Sequence, residues 1–81
     1  MTFPLSIYAL DREVFSGNAI SVTAPGAIGE LQVLADHVPF VTSLKEGTLN
    51  IEKEDKSTQE IPIAGGTLEV KDKEVILLVR F

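Results

Sequence analysis

Hydrophobic and polar residues alternate along most of the chain, which is the pattern of strands with one buried and one exposed face. Near the N-terminus Leu5, Ile7 and Ala9 are separated by Ser6 and Tyr8. No stretch keeps the apolar period of about three to four residues that a helix needs. Short strands at roughly 8–12-residue spacing predict an all-β fold, either a sandwich or a barrel. In a sandwich, two sheets would share one core.

Turn-forming residues divide this pattern. Asp11-Arg12 and Asp72-Lys73 predict tight turns, and Pro25-Gly26 ends a segment. Ser16-Gly17-Asn18 predicts a bulge or a wide turn inside a long hairpin. The charged run at positions 52–57 predicts a solvated hairpin tip.

Three strand segments carry special signals. A short strand is predicted from Ile28 to Val33, interrupted by Gly29. Pro62 cannot donate a backbone hydrogen bond, so its strand is expected at an edge or a bulge. The continuous apolar run at residues 75–79 predicts a strand that is buried on both faces.

Composition narrows the possible functions. The 81 residues make one small domain, covering 1–81. A net charge of −5 argues against a nucleic-acid partner, which needs a lysine or arginine patch. The absence of cysteine excludes a disulfide framework and a thiolate metal site. No apolar run reaches the length of a membrane-spanning helix and no signal sequence is visible, so we expect a soluble chain without direct membrane insertion.

The single histidine, His37, is the first candidate for chemistry. Asp36 and Glu30 are too few to complete a metal site with it. Ser43 and Asp36 are available for a Ser-His-Asp arrangement, but the sequence gives no sign that they converge. The alternatives for His37 are a turn residue whose ring bonds nearby backbone and an interface residue. We predict no catalytic, cofactor-binding or metal-binding residue.

Glu30 is the only charged residue between Ile20 and Ala35. Such a carboxylate is either an outward-facing strand residue or a group presented to a partner. The aromatic side chains are expected to pack in the core or at its rim, and an exposed one would mark an interface. These side chains are Phe3, Phe15, Phe40 and Phe81.

Glycines are frequent enough to raise the question of a phosphate-binding loop. Neither the cluster at Gly26 and Gly29 nor Gly65-Gly66 fits the Gly-x-x-x-x-Gly-Lys-Ser/Thr pattern, and no helix follows them. Turns and bulges account for these glycines better. Gly65-Gly66 is expected where two backbones approach closely or where φ is positive.

Four short motifs occur in one order along the chain. They are Phe15-Ser16-Gly17, Gly29-Glu30-Leu31, His37-x-Pro39 and Gly65-Gly66-x-Leu68-Glu69-Val70. In this order and at this spacing they resemble the N-terminal domain of the epsilon subunit of F-type ATP synthases, the delta subunit in mitochondrial naming, from near residue 3 to near residue 80. The resemblance implies a flattened β-sandwich of about ten short strands.

The resemblance also implies a role and partners. It implies a non-catalytic part of the rotor that couples the gamma subunit of the central stalk to the polar loops of the membrane c-ring during ion-driven ATP synthesis. It places the chain in the F1 sector, on the cytoplasmic face of the bacterial inner membrane. By position, Gly29, Glu30, Leu31 and Gln32 would face the c-ring. His37 would lie where c-ring and gamma meet, and Ser43 would face gamma.

The chain departs from the family pattern in three ways. Ala35-Asp36 stands where the family commonly has Pro-Gly, and Gln32 stands where it often has glycine. Family members usually continue into a pair of C-terminal helices that restrain ATP hydrolysis and in some cases bind ATP, whereas this chain ends at Phe81. We therefore expect no helical hairpin and no ATP binding in these residues.

A different class of function stays open at this point. A stand-alone β-sandwich could bind a peptide by strand addition or hold a sugar. Tyr8 is the only tyrosine and there is no tryptophan, so the chain is poor in the aromatic side chains that a sugar platform uses.

Overall fold

The alternating segments of the sequence form eight strands and no helix. The structure is a computed structural model that describes all of residues 1–81. The strands are β1 (Phe3–Ala9), β2 (Arg12–Gly26), β3 (Gly29–Leu34), β4 (Phe40–Leu44), β5 (Gly47–Lys53), β6 (Thr58–Ile63), β7 (Gly65–Val70) and β8 (Val75–Arg80). The predicted all-β class is confirmed. None of these elements has the length and hydropathy of a helix that spans a bilayer.

The strands form a sandwich because the long strand β2 takes part in two layers. Residues 12–19 of β2 pair with β1, which continues through β8 and β7 to β4. Residues 19–26 pair with β3 and β5, and β5 pairs with β6. β1 and β8 run parallel, whereas the other pairs are antiparallel.

One apolar core lies between the two layers. It contains 17 buried residues and draws on both layers, for example Ile7 and Leu77 from one and Leu49 and Ile51 from the other. In β1, β5 and β8 the buried residues alternate with more exposed ones, as the period-two pattern predicts. Full burial of one such side chain contributes roughly 1.5–3 kcal/mol.

The course of β2 corrects two expectations. Ser16-Gly17-Asn18 neither bulge nor turn, because each pairs regularly with β1. The irregularities lie on either side, where Val14 and Ile20 are extra residues relative to the partner strands. Since β2 stays continuous for 15 residues, the sandwich has eight strands, fewer than the ten that the resemblance implied.

The prediction for residues 75–79 is also wrong. Val75, Leu77 and Val79 are in the core, whereas Leu78 is 57% exposed and Ile76 is half-buried. β8 lies between β1 and β7, but no element of this chain covers its outer face. One side of β8 is therefore apolar without an internal partner.

Most turns and strand-interrupting residues lie where the sequence predicts them, with small shifts. Pro62 lies in β6, an edge strand that pairs only with β5. Gly66 has a φ of 156°, and a Cβ there would collide with the backbone oxygen of Leu78 on β8, which confirms the close approach. The first turn falls at Leu10-Asp11, one residue before the expected position. Ile28 is not in a strand but in the two-residue turn before β3.

Candidate functional site

The outer surface of the layer formed by β4, β7, β8 and β1 carries four apolar or aromatic side chains among polar ones. Cross-strand pairing places Val41, Ile76, Leu78 and Tyr8 on this surface. Val41 is 65% exposed, and Leu78 is more than half exposed. We call these four residues the apolar outer face. Tyr8, Leu78 and Ile76 are neighbours on β1 and β8, whereas Glu69 separates Val41 from Ile76. Neighbouring exposed apolar side chains mark an interaction surface more often than isolated ones do.

The outer surface of the other layer has the opposite character. The pairings of β3, β2, β5 and β6 bring Gln32, Thr23, Asn50 and Glu60 into one row. Glu52 lies in the neighbouring row, opposite Thr58. This polar outer face suits contact with water, so the two sides of the sandwich are not equivalent.

Ser43, the residue predicted to face gamma, belongs to the apolar side. It pairs with Thr67 on β7, which pairs with Leu78 on β8. Ser43 is exposed, and its side chain lies on the same side of the layer as Val41, two residues before it. A hydroxyl beside apolar side chains gives this face one adaptable hydrogen-bonding group.

The residues predicted to face the c-ring form one arm of the hairpin between β2 and β3. Glu30 and Gln32 are exposed on β3, whereas Leu31 points inward and packs against the core. Gly29 begins the strand with a φ of 145°, a conformation that disfavours other residues. Glu30 takes part in neither ion pair of the chain, so its carboxylate is free to meet an external cation.

A backbone hydrogen bond connects this hairpin to the predicted gamma-facing strand. The backbone N–H of Ala27, at the hairpin tip, donates to the carbonyl oxygen of Ser43 at 2.9 Å. The N–H of Lys45 donates to the carbonyl oxygen of Pro25, also at 2.9 Å. The structure therefore brings the Glu30 hairpin and the Ser43 strand together at one end of the sandwich.

His37 has a different environment, because both ring nitrogens face backbone carbonyl groups. Nδ1 lies 2.7 Å from the oxygen of Leu34, and Nε2 lies 2.7 Å from the oxygen of Lys71 at the end of β7. The ring donates both hydrogen bonds only when both nitrogens carry a proton. Phe3 packs its ring against the imidazole edge-on, at 5.6 Å between centroids. These contacts agree with the turn interpretation, since His37 connects the β3–β4 loop to the β7–β8 turn, and its placement where c-ring and gamma meet stays a prediction.

The predicted site residues thus fall into two places. Glu30 is the second residue of β3, whereas His37 lies in the loop after the last residue of this strand, Leu34. The turn at Ala35-Asp36 stands where the family commonly has Pro-Gly. A hydrogen bond closes this turn, because the backbone N–H of His37 donates to the carbonyl oxygen of Leu34 at 3.2 Å. His37 is therefore placed to position the loop before β4, because its ring nitrogens already have partners within the chain.

One carboxyl group, that of Asp55, has a perturbed environment. The pKa of Asp55 is lowered, chiefly because the Ser57 hydroxyl and the Ser57 backbone N–H donate to its carboxylate. These residues lie in the exposed β5–β6 turn, away from both predicted contact regions. No group of three or more His, Asp or Glu side chains gathers into a possible metal site.

Sequence reasoning missed the exposed apolar residues that distinguish this surface. Leu78 was included in a run interpreted as buried on both faces, and Ile28 was assigned to a strand. The signal that could have found Leu78 was the apolar run itself. A run with apolar residues on both sides needs cover on both faces, and a chain this short has no element for the outer face. Ile28 carried a weaker signal, because the pair Ala27-Ile28 lies between Gly26 and Gly29.

Comparison with known proteins gives consistent results. Residues 2–81 match the family described as "ATP synthase, Delta/Epsilon chain, beta-sandwich domain". The ATP synthase epsilon chain of Sulfurimonas denitrificans is 45% identical over 75 residues, which are 93% of this chain and 58% of that protein. The epsilon chain of Dichelobacter nodosus is 35% identical over 80 residues, or 96% of this chain and 56% of that protein. The chain thus spans under two thirds of the length of these relatives.

Solved structures agree with the fold. A chain of the Euglena gracilis mitochondrial ATP synthase, in an OSCP/F1/c-ring structure, superposes with a TM-score of 0.90 at 26% identity, covering 96% of this chain and 50% of that chain. A chain from the central stalk/c-ring structure of the Tetrahymena thermophila mitochondrial ATP synthase superposes with a TM-score of 0.79 at 16% identity, covering 96% and 63%. Because its identity is only 16%, the Tetrahymena thermophila structure supports the fold alone. Together with the family match, these relatives establish that the chain belongs to the ATP synthase delta/epsilon chain family, in which it corresponds to the β-sandwich domain.

Proposed function

We propose that this chain is a non-catalytic coupling element of an F-type ATP synthase rotor, which joins the gamma subunit to the membrane c-ring. Family membership supports the assignment to the ATP synthase. The observation that carries the docking role is the apolar outer face, which the chain leaves uncovered although β8 is an interior strand. A monomer in water gains nothing from this arrangement, whereas a subunit in an assembly buries it.

The gamma subunit is assigned to the apolar outer face. Ser43 lies on it, and its exposed apolar side chains suit a stable interface that remains closed while the rotor turns. Glu69 lies between Val41 and Ile76, and Glu13 pairs with Tyr8, so two carboxylates accompany the apolar side chains. Binding at this face would bury Val41 and Leu78, the most exposed of its apolar side chains.

The c-ring is assigned to the hairpin end of the sandwich. Glu30 and Gln32 present polar groups there, and polar loops of a ring are suitable partners for them. The hydrogen bond from Ala27 to Ser43 joins the two contact regions through backbone rather than through flexible side chains. A close-packed sandwich transmits strain with little deformation, which suits a part that carries torque.

This assignment also implies a location. The chain would work in the F1 sector, on the cytoplasmic face of a bacterial membrane, and would touch the membrane only through the ring. The ion that drives rotation passes through other subunits. No nucleotide or cofactor is required in residues 1–81 for this role.

Co-expression with the gamma subunit tests the proposal. The chain is expected to elute with gamma in size-exclusion chromatography. Leu78→Lys places a charge in the apolar outer face and is expected to abolish co-elution, because burying an unpaired charge is costly. Asn50→Lys makes the same addition on the polar outer face and is the matched control, for which co-elution should persist.

The folded state of each variant is checked by circular dichroism, since the chain has no tryptophan. If the unmodified chain never elutes with gamma, the coupling role is wrong. If both lysine variants behave alike, the assignment of gamma to the apolar outer face is wrong.

A further inference from the structure

One cation lies within the strands that carry the apolar outer face. Strands β1, β4, β7 and β8 contain no lysine and a single arginine, Arg80, at the end of β8. Arg80 is exposed and points outward, because it follows the outward-facing Leu78 by two residues. Its guanidinium takes part in neither ion pair of the chain and in none of its side-chain hydrogen bonds. This cation is therefore available to a group outside the chain.

The neighbouring strand β7 nevertheless holds the Arg80 side chain in one place. Gly65 pairs with Arg80 across the two strands, and a Cβ on Gly65 would collide with a guanidinium nitrogen and lie 3.0 Å from Cζ. The side chain of Arg80 thus folds across Gly65, which is buried. The backbone N–H of Ala64 donates to the carbonyl oxygen of Arg80 at 2.7 Å and fixes the end of β8. Gly65 is not among the residues with positive φ, so its missing side chain serves Arg80 rather than the backbone.

Apolar side chains lie beside this guanidinium. Tyr8, Leu10, Leu78 and Arg80 line one shallow groove, and Leu10 is fully exposed. A charge-assisted hydrogen bond is stronger where apolar neighbours exclude water. The planar guanidinium also matches a carboxylate with two parallel bonds. The groove therefore suits a carboxylate that is carried on an apolar segment.

A charge of the opposite sign lies on the same face. Glu69 follows Gly65 by four residues on β7, which places it about 13 Å farther along the strand. Leu78 lies in the row between them, opposite Thr67. A segment that covers this face meets a cation, then an apolar side chain, then an anion. Only one direction of such a segment pairs both charges favourably.

We propose that Arg80, positioned by Gly65, is the charged anchor of the gamma interface and binds an aspartate or glutamate of gamma beside the apolar side chains that cover Leu78. This inference rests on the proposed function and specifies the chemistry of its gamma contact. Glu69 sets the direction of the gamma segment by meeting a lysine or arginine. Gly65 is a positioning residue, because it acts through Arg80.

Binding of the chain to an F1 sector that contains gamma but lacks this chain tests the anchor. Arg80→Ala is expected to raise the dissociation constant about tenfold, because it removes charge-assisted hydrogen bonds. Arg80→Lys keeps the charge but not the planar fork and should recover only part of this loss. Lys73→Ala removes the same charge from the exposed β7–β8 turn and is the matched control, with a change of less than about twofold.

Gly65→Ala tests the positioning of the guanidinium. Its Cβ displaces the side chain of Arg80, so the dissociation constant should rise about threefold. The urea midpoint should hardly change, because the colliding atoms are the far end of a flexible side chain. Combined with Arg80→Ala, Gly65→Ala should weaken binding no further, since no guanidinium remains to be displaced. An equal effect of Gly65→Ala in both backgrounds would overturn the positioning role.

The outcomes separate the two levels of the proposal. If the unmodified chain does not bind the F1 sector, the proposed coupling function fails. If Leu78→Lys abolishes binding but Arg80→Ala binds as well as the unmodified chain, the anchor is wrong while the function stands. Equal weakening by Arg80→Ala and Lys73→Ala would also overturn the anchor, because it would show only long-range attraction between net charges.

Cross-linking identifies the partner group directly. Arg80→Lys supplies an amine that a zero-length carbodiimide reagent joins to a neighbouring carboxylate. Mass spectrometry is expected to find residue 80 joined to an aspartate or glutamate of gamma. A product that joins residue 80 to another subunit instead would overturn the inference.

Discussion

Leu77 and Leu78 offer a direct test of the two-sided character of β8. They are adjacent leucines in the same strand, but Leu77 is fully buried in the core and Leu78 is 57% exposed on the apolar outer face. Leu77→Ala leaves a cavity, and such changes cost about 3 kcal/mol or more. Leu78→Ala removes a side chain that is less than half buried, so scaling the full-burial value gives about 1 kcal/mol.

Urea denaturation followed by far-ultraviolet circular dichroism measures both changes. A domain of 81 residues has a free energy of unfolding of about 4–12 kcal/mol, so Leu77→Ala removes a large share of the stability but leaves a folded population. With an m-value of about 1 kcal/mol/M, the midpoint should fall by about 3 M for Leu77→Ala and by about 1 M for Leu78→Ala.

Binding to gamma should reverse the order of the two variants. Leu78→Ala removes part of the proposed contact surface and should weaken capture by gamma, whereas folded Leu77→Ala should bind normally. Equal losses of stability would refute the reasoning, because they would mean that both faces of β8 are covered in the isolated chain. Unchanged capture of Leu78→Ala would remove Leu78 from the gamma contact.

Three further substitutions test other features. His37→Ala removes a ring that lies between two backbone carbonyl oxygens and donates a hydrogen bond to at least one of them, so it should cost about 1 kcal/mol in urea denaturation. Gly66→Ala should destabilise the chain more than Gly29→Ala in the same assay, because only the first adds a Cβ that meets backbone. The lowered pKa of Asp55 stabilises the folded chain at pH values above 3.8, the unfolded pKa of this carboxyl, and Asp55→Asn should lose that stabilisation. The difference from the unmodified chain should therefore shrink as pH falls below about 4, since protonation ends the bonds from Ser57.

Local pattern predicted those parts of the fold that local physics determines. The alternation in β1 and β7 follows from burial of one face, and the edge position of β6 follows from the missing donor of Pro62. The close approach at Gly66 follows from the lack of a side chain. In each case one residue or one period is enough to state the constraint.

The errors arose where pairing over long distances decides the outcome. β2 stays continuous because β1 on one side and β5 on the other hold its two parts, and neither constraint is visible around Ser16. The prediction that β8 is buried on both faces is wrong because an apolar run does not show which elements pack on its outer face, where Leu78 is exposed. A single sequence does not say whether the cover comes from the same chain.

The candidate site shows the same division. The exposure of Glu30 and the backbone bonds of His37 were among the alternatives that the sequence offered. The sequence did not predict the link between the hairpin tip and Ser43, because this link depends on the pairing of Gly26 with Leu44. Lys71 as the distant acceptor for His37 was hidden for the same reason, since 34 residues separate the two.

The parallel pairing of β1 with β8 has a consequence for synthesis in the cell. β1 lies between β2 and β8, so one side of β1 stays unpaired in a nascent chain until β8, seven strands later, has emerged. Contacts between such distant segments form slowly. During that interval the chain carries an open, aggregation-prone strand edge, and a chaperone that covers this edge would be most useful then.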